Sequence, residues 1–94
     1  MNDKFIYIFI ANGFIQSAHS TIEDVCKTVY NHVDNLDLEF ATSEDEQKII
    51  NHDLKFDASY NLTPPFVDIK VTDGIDTWKL TILEMPIRFE QERS

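Results

Sequence analysis

The sequence predicts an α+β domain, in which an antiparallel sheet of about five strands carries one or two helices on one face, in the order β-β-α-(α)-β-β-β. Two pairs of turn residues, Asn12-Gly13 and Asp73-Gly74, each separate apolar runs typical of strands and so indicate a hairpin near each end of the chain. Between the hairpins, apolar residues recur at helical spacing. With 94 residues, 43% of them hydrophobic, we expect residues 1–94 to form a single domain around one packed core.

The first hairpin is predicted over residues 4–18. Residues 5–10 are all β-branched or aromatic, which favours a strand. The Asn12-Gly13 pair that follows is preferred in type I′ turns because both of its positions require positive φ. Phe14, Ile15 and Ala18 continue the apolar character, so we expect them on the returning strand.

Two helices are predicted after this hairpin. Ser20 and Glu23 have the spacing of a capping box, so the first helix is expected to begin at about Thr21 and to end near Asn35. A second capping box, residues 43–46, opens a shorter helix through about residue 53. The link at residues 36–40 alternates apolar and acidic residues, which is typical of a short strand or an extended connection.

Three further strands are predicted in the second half of the chain. Apolar and polar residues alternate with a period of two over residues 54–62, the pattern of a half-buried strand. Residues 66–72 and 75–83 form the second predicted hairpin around Asp73-Gly74. Residues 88–94 are polar, and we expect them to be a frayed tail.

The charge of the chain is negative and unevenly distributed. The formal net charge is −9. Residues 21–54 contain nine acidic residues and two lysines, so this segment alone carries −7. Direct binding to nucleic acids or anionic membranes needs lysine and arginine, so this balance argues against both. Six acids without a base between them form one predicted patch that binds a basic protein surface: Asp34, Asp37, Glu39, Glu44, Asp45 and Glu46. The alternative is an ordinary solvated helical face.

An enzymatic function is the least supported class. Cys26 lies on the apolar stripe of the first helix, where a small buried side chain is expected rather than a nucleophile. No metal-binding spacing of cysteine and histidine is present, and both glycines are assigned to hairpin turns, which excludes a glycine-rich phosphate loop. We therefore predict no catalytic residues, no cofactor and no metal.

The first strand is apolar on both of its faces. Phe5, Tyr7 and Phe9 alternate with isoleucines at positions 6, 8 and 10, so both faces need burial. We expect a central strand covered by loops, or else a strand that contributes to a homodimer surface. Phe66 is out of phase with Val67 and its alternating neighbours, and we expect it to contact a partner.

A cytoplasmic protein is expected from the lone Cys26 and from the lack of a basic region followed by a long apolar stretch. Together these features predict an acidic protein-binding module that inhibits a basic nucleic-acid-handling protein or mimics its nucleic acid. Phage anti-defence proteins, anti-CRISPR proteins and immunity proteins of toxin nucleases have this profile. The alternative function is a homo-oligomeric structural or accessory module that associates through an open sheet face.

Overall fold

The computed structural model describes residues 4–56 and 64–87. Its strands and helices follow the chain as β1 (Lys4–Ala11), β2 (Phe14–His19), α1 (Ile22–Asn35), β3 (Glu39–Phe40), α2 (Ser43–Ile50), β4 (Phe66–Thr72) and β5 (Thr77–Ile87). The five strands form one sheet in the order β2-β1-β5-β4-β3, and every neighbouring pair is antiparallel. The predicted class, a five-stranded antiparallel sheet with helices on one face, is confirmed.

Both hairpins form at the predicted turns. Asn12 and Gly13 have φ of 55° and 80°, the positive values that a type I′ turn requires. In the second hairpin, the Asp73 carboxylate accepts hydrogen bonds from the amides of Ile75 and Asp76 at 2.8 Å each. These bonds stabilise the ionised carboxylate and lower the pKa of Asp73. Strand β5 is longer than predicted, because its pairing with β1 continues from residue 83 to Ile87.

Each helix is capped by a residue next to the predicted cap, by Thr21 in place of Ser20 and by Thr42 in place of Ser43. The Thr21 hydroxyl accepts from the Asp24 amide at 3.0 Å, and the Thr42 hydroxyl accepts from the Asp45 amide at 3.1 Å. Both threonines have extended backbones, so helical geometry starts only at the residue that follows. Helix α2 ends at Ile50, before the predicted residue 53, because His52 has a positive φ of 55°.

The predicted strand at residues 54–62 differs from the structure. Residues 54–56 lie outside any strand, although Leu54 is buried and the Phe56 ring lies 5.6 Å from the Tyr7 ring. The apolar and polar residues alternate here because every second side chain is buried, although the backbone pairs with no neighbouring strand. The position beside β4 is taken instead by β3, the two-residue strand in the link between the helices. Residues 57–62 and the predicted tail, 88–94, lie outside the described residues.

The hydrophobic core lies between the helices and one face of the sheet. Helix α1 contributes Val25, Cys26, Val29 and Val33, and α2 contributes Ile49. The sheet side of the core consists of Tyr7, Phe9, Ala11, Val67, Ile69, Val71, Leu80 and Ile82. The opposite face, which we call the open face, carries the alternate residues of these strands, and neither helix packs on it. Neither of the described helices is long and apolar enough to cross a membrane.

The stability of this core is expected to depend on pH through His32. Its ring packs edge-to-face on Phe9 at 5.1 Å between ring centroids, and burial lowers its pKa from the ordinary value of 6.5. The unfolded chain therefore binds a proton more readily than the folded one, and stability falls as pH drops below 6.5 towards the folded pKa.

The His32→Gln variant provides the measurement for this effect. Urea unfolding at about pH 7.5 and about pH 5 will show that the stability advantage of the wild type over the variant shrinks at the lower pH. An advantage of constant size at both pH values would show that His32 is not responsible.

Candidate protein-binding site

An acidic groove lies where the C-terminal half of α1, strand β3 and helix α2 meet. It is an open depression of about 290 Å³ lined by Tyr30, Val33, Asp34, Leu38, Glu39, Phe40 and Glu46. Each of these three elements contributes one exposed acidic residue to the lining, namely Asp34, Glu39 and Glu46. Because Glu39 pairs with Thr72, its side chain lies on the side of β3 away from Phe40, at the rim of the depression. Residues from three successive elements, all within positions 30–46, thereby form one negatively charged depression.

The wall of the acidic groove is aromatic. The rings of Tyr30 and Phe40 lie near-parallel, with centroids 6.4 Å apart and planes at 26°. Phe40 packs against the hydrophobic core, whereas Tyr30 is 46% exposed. An exposed ring beside carboxylates offers a cation both a π face and opposite charge. Planar guanidinium groups use both of these contacts well.

The carboxylates of the acidic groove have no basic partner among the described residues. The ion pairs in residues 4–56 and 64–87 are Lys48 with Asp45 and Lys79 with Asp68. Neither pair includes Asp34, Glu39 or Glu46. Their negative charge is therefore not neutralised within the described part of the chain and remains available to a cation from outside.

Asp45 was predicted to belong to the acidic patch, and the structure gives it internal partners instead. Only 7% of its surface is exposed. One carboxylate oxygen accepts from the Lys70 amide of β4 at 3.1 Å, and the other lies 3.4 Å from the Lys48 ammonium. The Ala41 amide donates to the Lys70 carbonyl at 2.9 Å, next to this contact. Asp45 therefore fixes the start of α2 to the sheet, and it is not part of the proposed binding surface.

The other predicted residues lie outside the acidic groove. Glu44 lines a separate depression on α2, next to Lys48 and Lys55. Asp37 is exposed in the turn after α1, with a positive φ of 56°. Phe66 is half-buried on the open face, opposite Leu83 of β5. Three of the six predicted acids thus line the acidic groove, whereas Phe66 lies on the open face and outside the groove.

The cysteine and the metal-ligating residue types form no reactive site in the described part of the chain. Cys26 is fully buried, and desolvation raises the pKa of its thiol to about 11, which keeps it protonated at neutral pH. No group of three or more histidine, cysteine or acidic side chains is arranged to hold a metal ion within the residues described. The acidic groove is the feature with the clearest binding chemistry.

The aromatic wall was only partly foreseen from the sequence. The signal in the sequence for Phe40 was the alternation of apolar and acidic residues at 36–40. This alternation places Leu38 and Phe40 towards the core and Glu39 on the other side of the segment. Comparisons of the chain with protein-family models, with curated proteins and with solved structures found no match.

Proposed function

We propose that this chain is a non-enzymatic module that binds a basic protein through the acidic groove. The observation that carries the proposal is the convergence of Asp34, Glu39 and Glu46, from three different elements, around the exposed Tyr30 ring. A solvated helical face would spread its charges along one helix. Here acidic residues from three successive elements line one depression that has room for a side chain.

Arginine is the side chain that fits this chemistry best. Its guanidinium group stacks on aromatic rings and donates two parallel hydrogen bonds to a carboxylate. Tyr30 supplies the ring, and Asp34 and Glu46 supply carboxylates from two different helices. Lysine offers only a strongly hydrated point charge, so we expect an arginine-bearing segment to bind more tightly than a lysine-bearing one.

The surrounding charge favours a partner that normally binds nucleic acid. Residues 21–54 carry a net charge of −7, which attracts a basic surface and speeds its association. A surface built to bind phosphates is basic and rich in arginine and lysine. Carboxylates in the acidic groove would occupy such a surface in place of phosphates, and the chain would then inhibit its partner by competing with nucleic acid.

Titration with a fluorescein-labelled arginine-rich peptide tests this proposal. We expect binding at about 0.05 M NaCl that weakens by roughly tenfold or more at about 0.5 M, because salt screens the attraction. A lysine peptide of equal length should bind more weakly, and a glutamine peptide should not bind. Equal affinities for the arginine and lysine peptides, or an affinity that does not respond to salt, would contradict the proposed recognition.

A further inference from the structure

The open face carries a continuous row of apolar side chains. Ala18, Ile8, Leu83 and Phe66 lie directly opposite one another on β2, β1, β5 and β4. Ile6 and Met85 form a second apolar pair beside this row. The row spans four of the five strands, so these side chains form one patch rather than scattered exposed residues.

No element of the described residues covers this patch. Both helices pack on the other face of the sheet, and Ile8, Leu83 and Phe66 remain half-buried, shielded by their neighbours within the sheet. Antiparallel sheets with one solvated face usually place polar residues there, and large contiguous apolar patches mark interaction sites. The open face therefore has the character of an interface.

We infer that two copies of this chain associate through their open faces. A strand of eight residues and a width of four strands give a face of about 26 Å by 19 Å, or roughly 500 Å² per copy. Two such faces bury about 1,000 Å² in total, which is the lower limit for a specific interface. The expected product is a weak dimer of two stacked sheets, with a dissociation constant in the micromolar range.

The charge distribution favours stacking of two copies through their open faces over stacking through their helical sides. Each chain carries −9, and most of this charge lies on the helical side of the sheet. The open face instead carries Lys4, Lys70 and Lys79 against Asp68 and Glu39, the latter placed there by its pairing with Thr72. Stacked sheets lie about 10 Å apart, with an acidic helical layer outside each of them, so the two layers are separated by more than the Debye length of about 8 Å. Association through the helical sides would bring the acidic layers together.

Sedimentation velocity on the wild-type chain tests the inference. Over about 10 µM to 1 mM protein, the dimer fraction will rise with concentration and will be larger at about 0.5 M than at about 0.05 M NaCl, because salt screens the repulsion between two acidic chains. This salt dependence is opposite to that expected for the basic peptide, so the two surfaces are tested separately. A monomer at every concentration, or a dimer that salt dissociates, would overturn the inference.

Paired variants locate the interface. Ile8→Thr with Leu83→Thr places threonine, which is β-branched and suited to strands, at both positions and should weaken dimerisation at least tenfold. Lys27→Thr, an exposed position on α1 on the other side of the sheet, should leave dimerisation unchanged. Thermal unfolding followed by circular dichroism checks the fold of each variant, and the wild-type series remains decisive if the double variant unfolds. Undiminished dimerisation of the folded double variant, or equal losses in both, would contradict the assignment to the apolar row.

Discussion

Replacing Asp34, Glu39 and Glu46 together by lysine will weaken binding of the arginine-rich peptide by roughly 100-fold or more. Each lost ion pair between exposed groups is worth up to about 1 kcal/mol, and each new lysine adds repulsion of similar size. The upper limit for the three substitutions is therefore about 6 kcal/mol, and half of it already corresponds to roughly 100-fold, because each 1.4 kcal/mol is about tenfold in the dissociation constant. Fluorescence anisotropy of the labelled peptide measures the change.

A second triple variant separates the acidic groove from the overall charge. Glu23, Asp53 and Asp76 are exposed and lie outside the acidic groove, so their replacement by lysine changes the net charge by the same amount. We expect a loss of less than about tenfold, since screening weakens charges that lie more than a Debye length from the peptide. Equal losses of peptide affinity in the two triple variants would mean that the peptide binds through the net charge of the chain and not through the acidic groove.

The Asp45→Ala variant will lose about 2–3 kcal/mol of folding stability. Its carboxylate is the acceptor for the Lys70 amide and contacts the Lys48 ammonium, and removing one partner from a buried hydrogen bond costs about 1–3 kcal/mol. The neighbouring Glu46→Ala variant is the control, since Glu46 is exposed and its loss should change stability by less than about 0.5 kcal/mol. Urea unfolding gives both values.

Asp45→Ala is also expected to weaken peptide binding, although Asp45 does not line the acidic groove. The residue fixes the start of α2, and α2 carries Glu46 into the groove. Asp45 is therefore a positioning residue. If Asp45→Ala proves as mild as Glu46→Ala in unfolding, the contact between the start of α2 and Lys70 does not have the role assigned to it.

Most of the fold was predictable because its signals are local. The Asn12-Gly13 turn defined the first hairpin, and the predicted bounds of β4, residues 66–72, agree with the structure. Strand β3 has only two residues and forms through pairing with Thr72 and Val71, a contact that no local pattern reveals. The alternation from residue 54 correctly indicated which side chains are buried, but it wrongly indicated a paired strand. A period of two is found both in paired strands and in extended segments that pair with no strand.

The candidate site was predictable in its charge but not in its shape. The run of acids located the negative region, whereas the convergence of Asp34, Glu39 and Glu46 depends on how α1, β3 and α2 pack. Asp45 lies between two exposed acids in the sequence, and only the position of Lys70 explains its burial. The phase of Phe66 separated it from Val67 correctly, but the sequence did not indicate which face the helices would cover.

A nuclear magnetic resonance titration of the isotope-labelled chain with the arginine-rich peptide shows which residues the peptide contacts. We expect the amide shift changes to concentrate at residues that line the acidic groove, namely Tyr30, Asp34, Glu39, Phe40 and Glu46. Glu23 and Asp76 are exposed acids outside the groove and should change little. Changes spread evenly over all exposed acids, or confined to the open face around Phe66, would contradict the assignment of the acidic groove as the binding site.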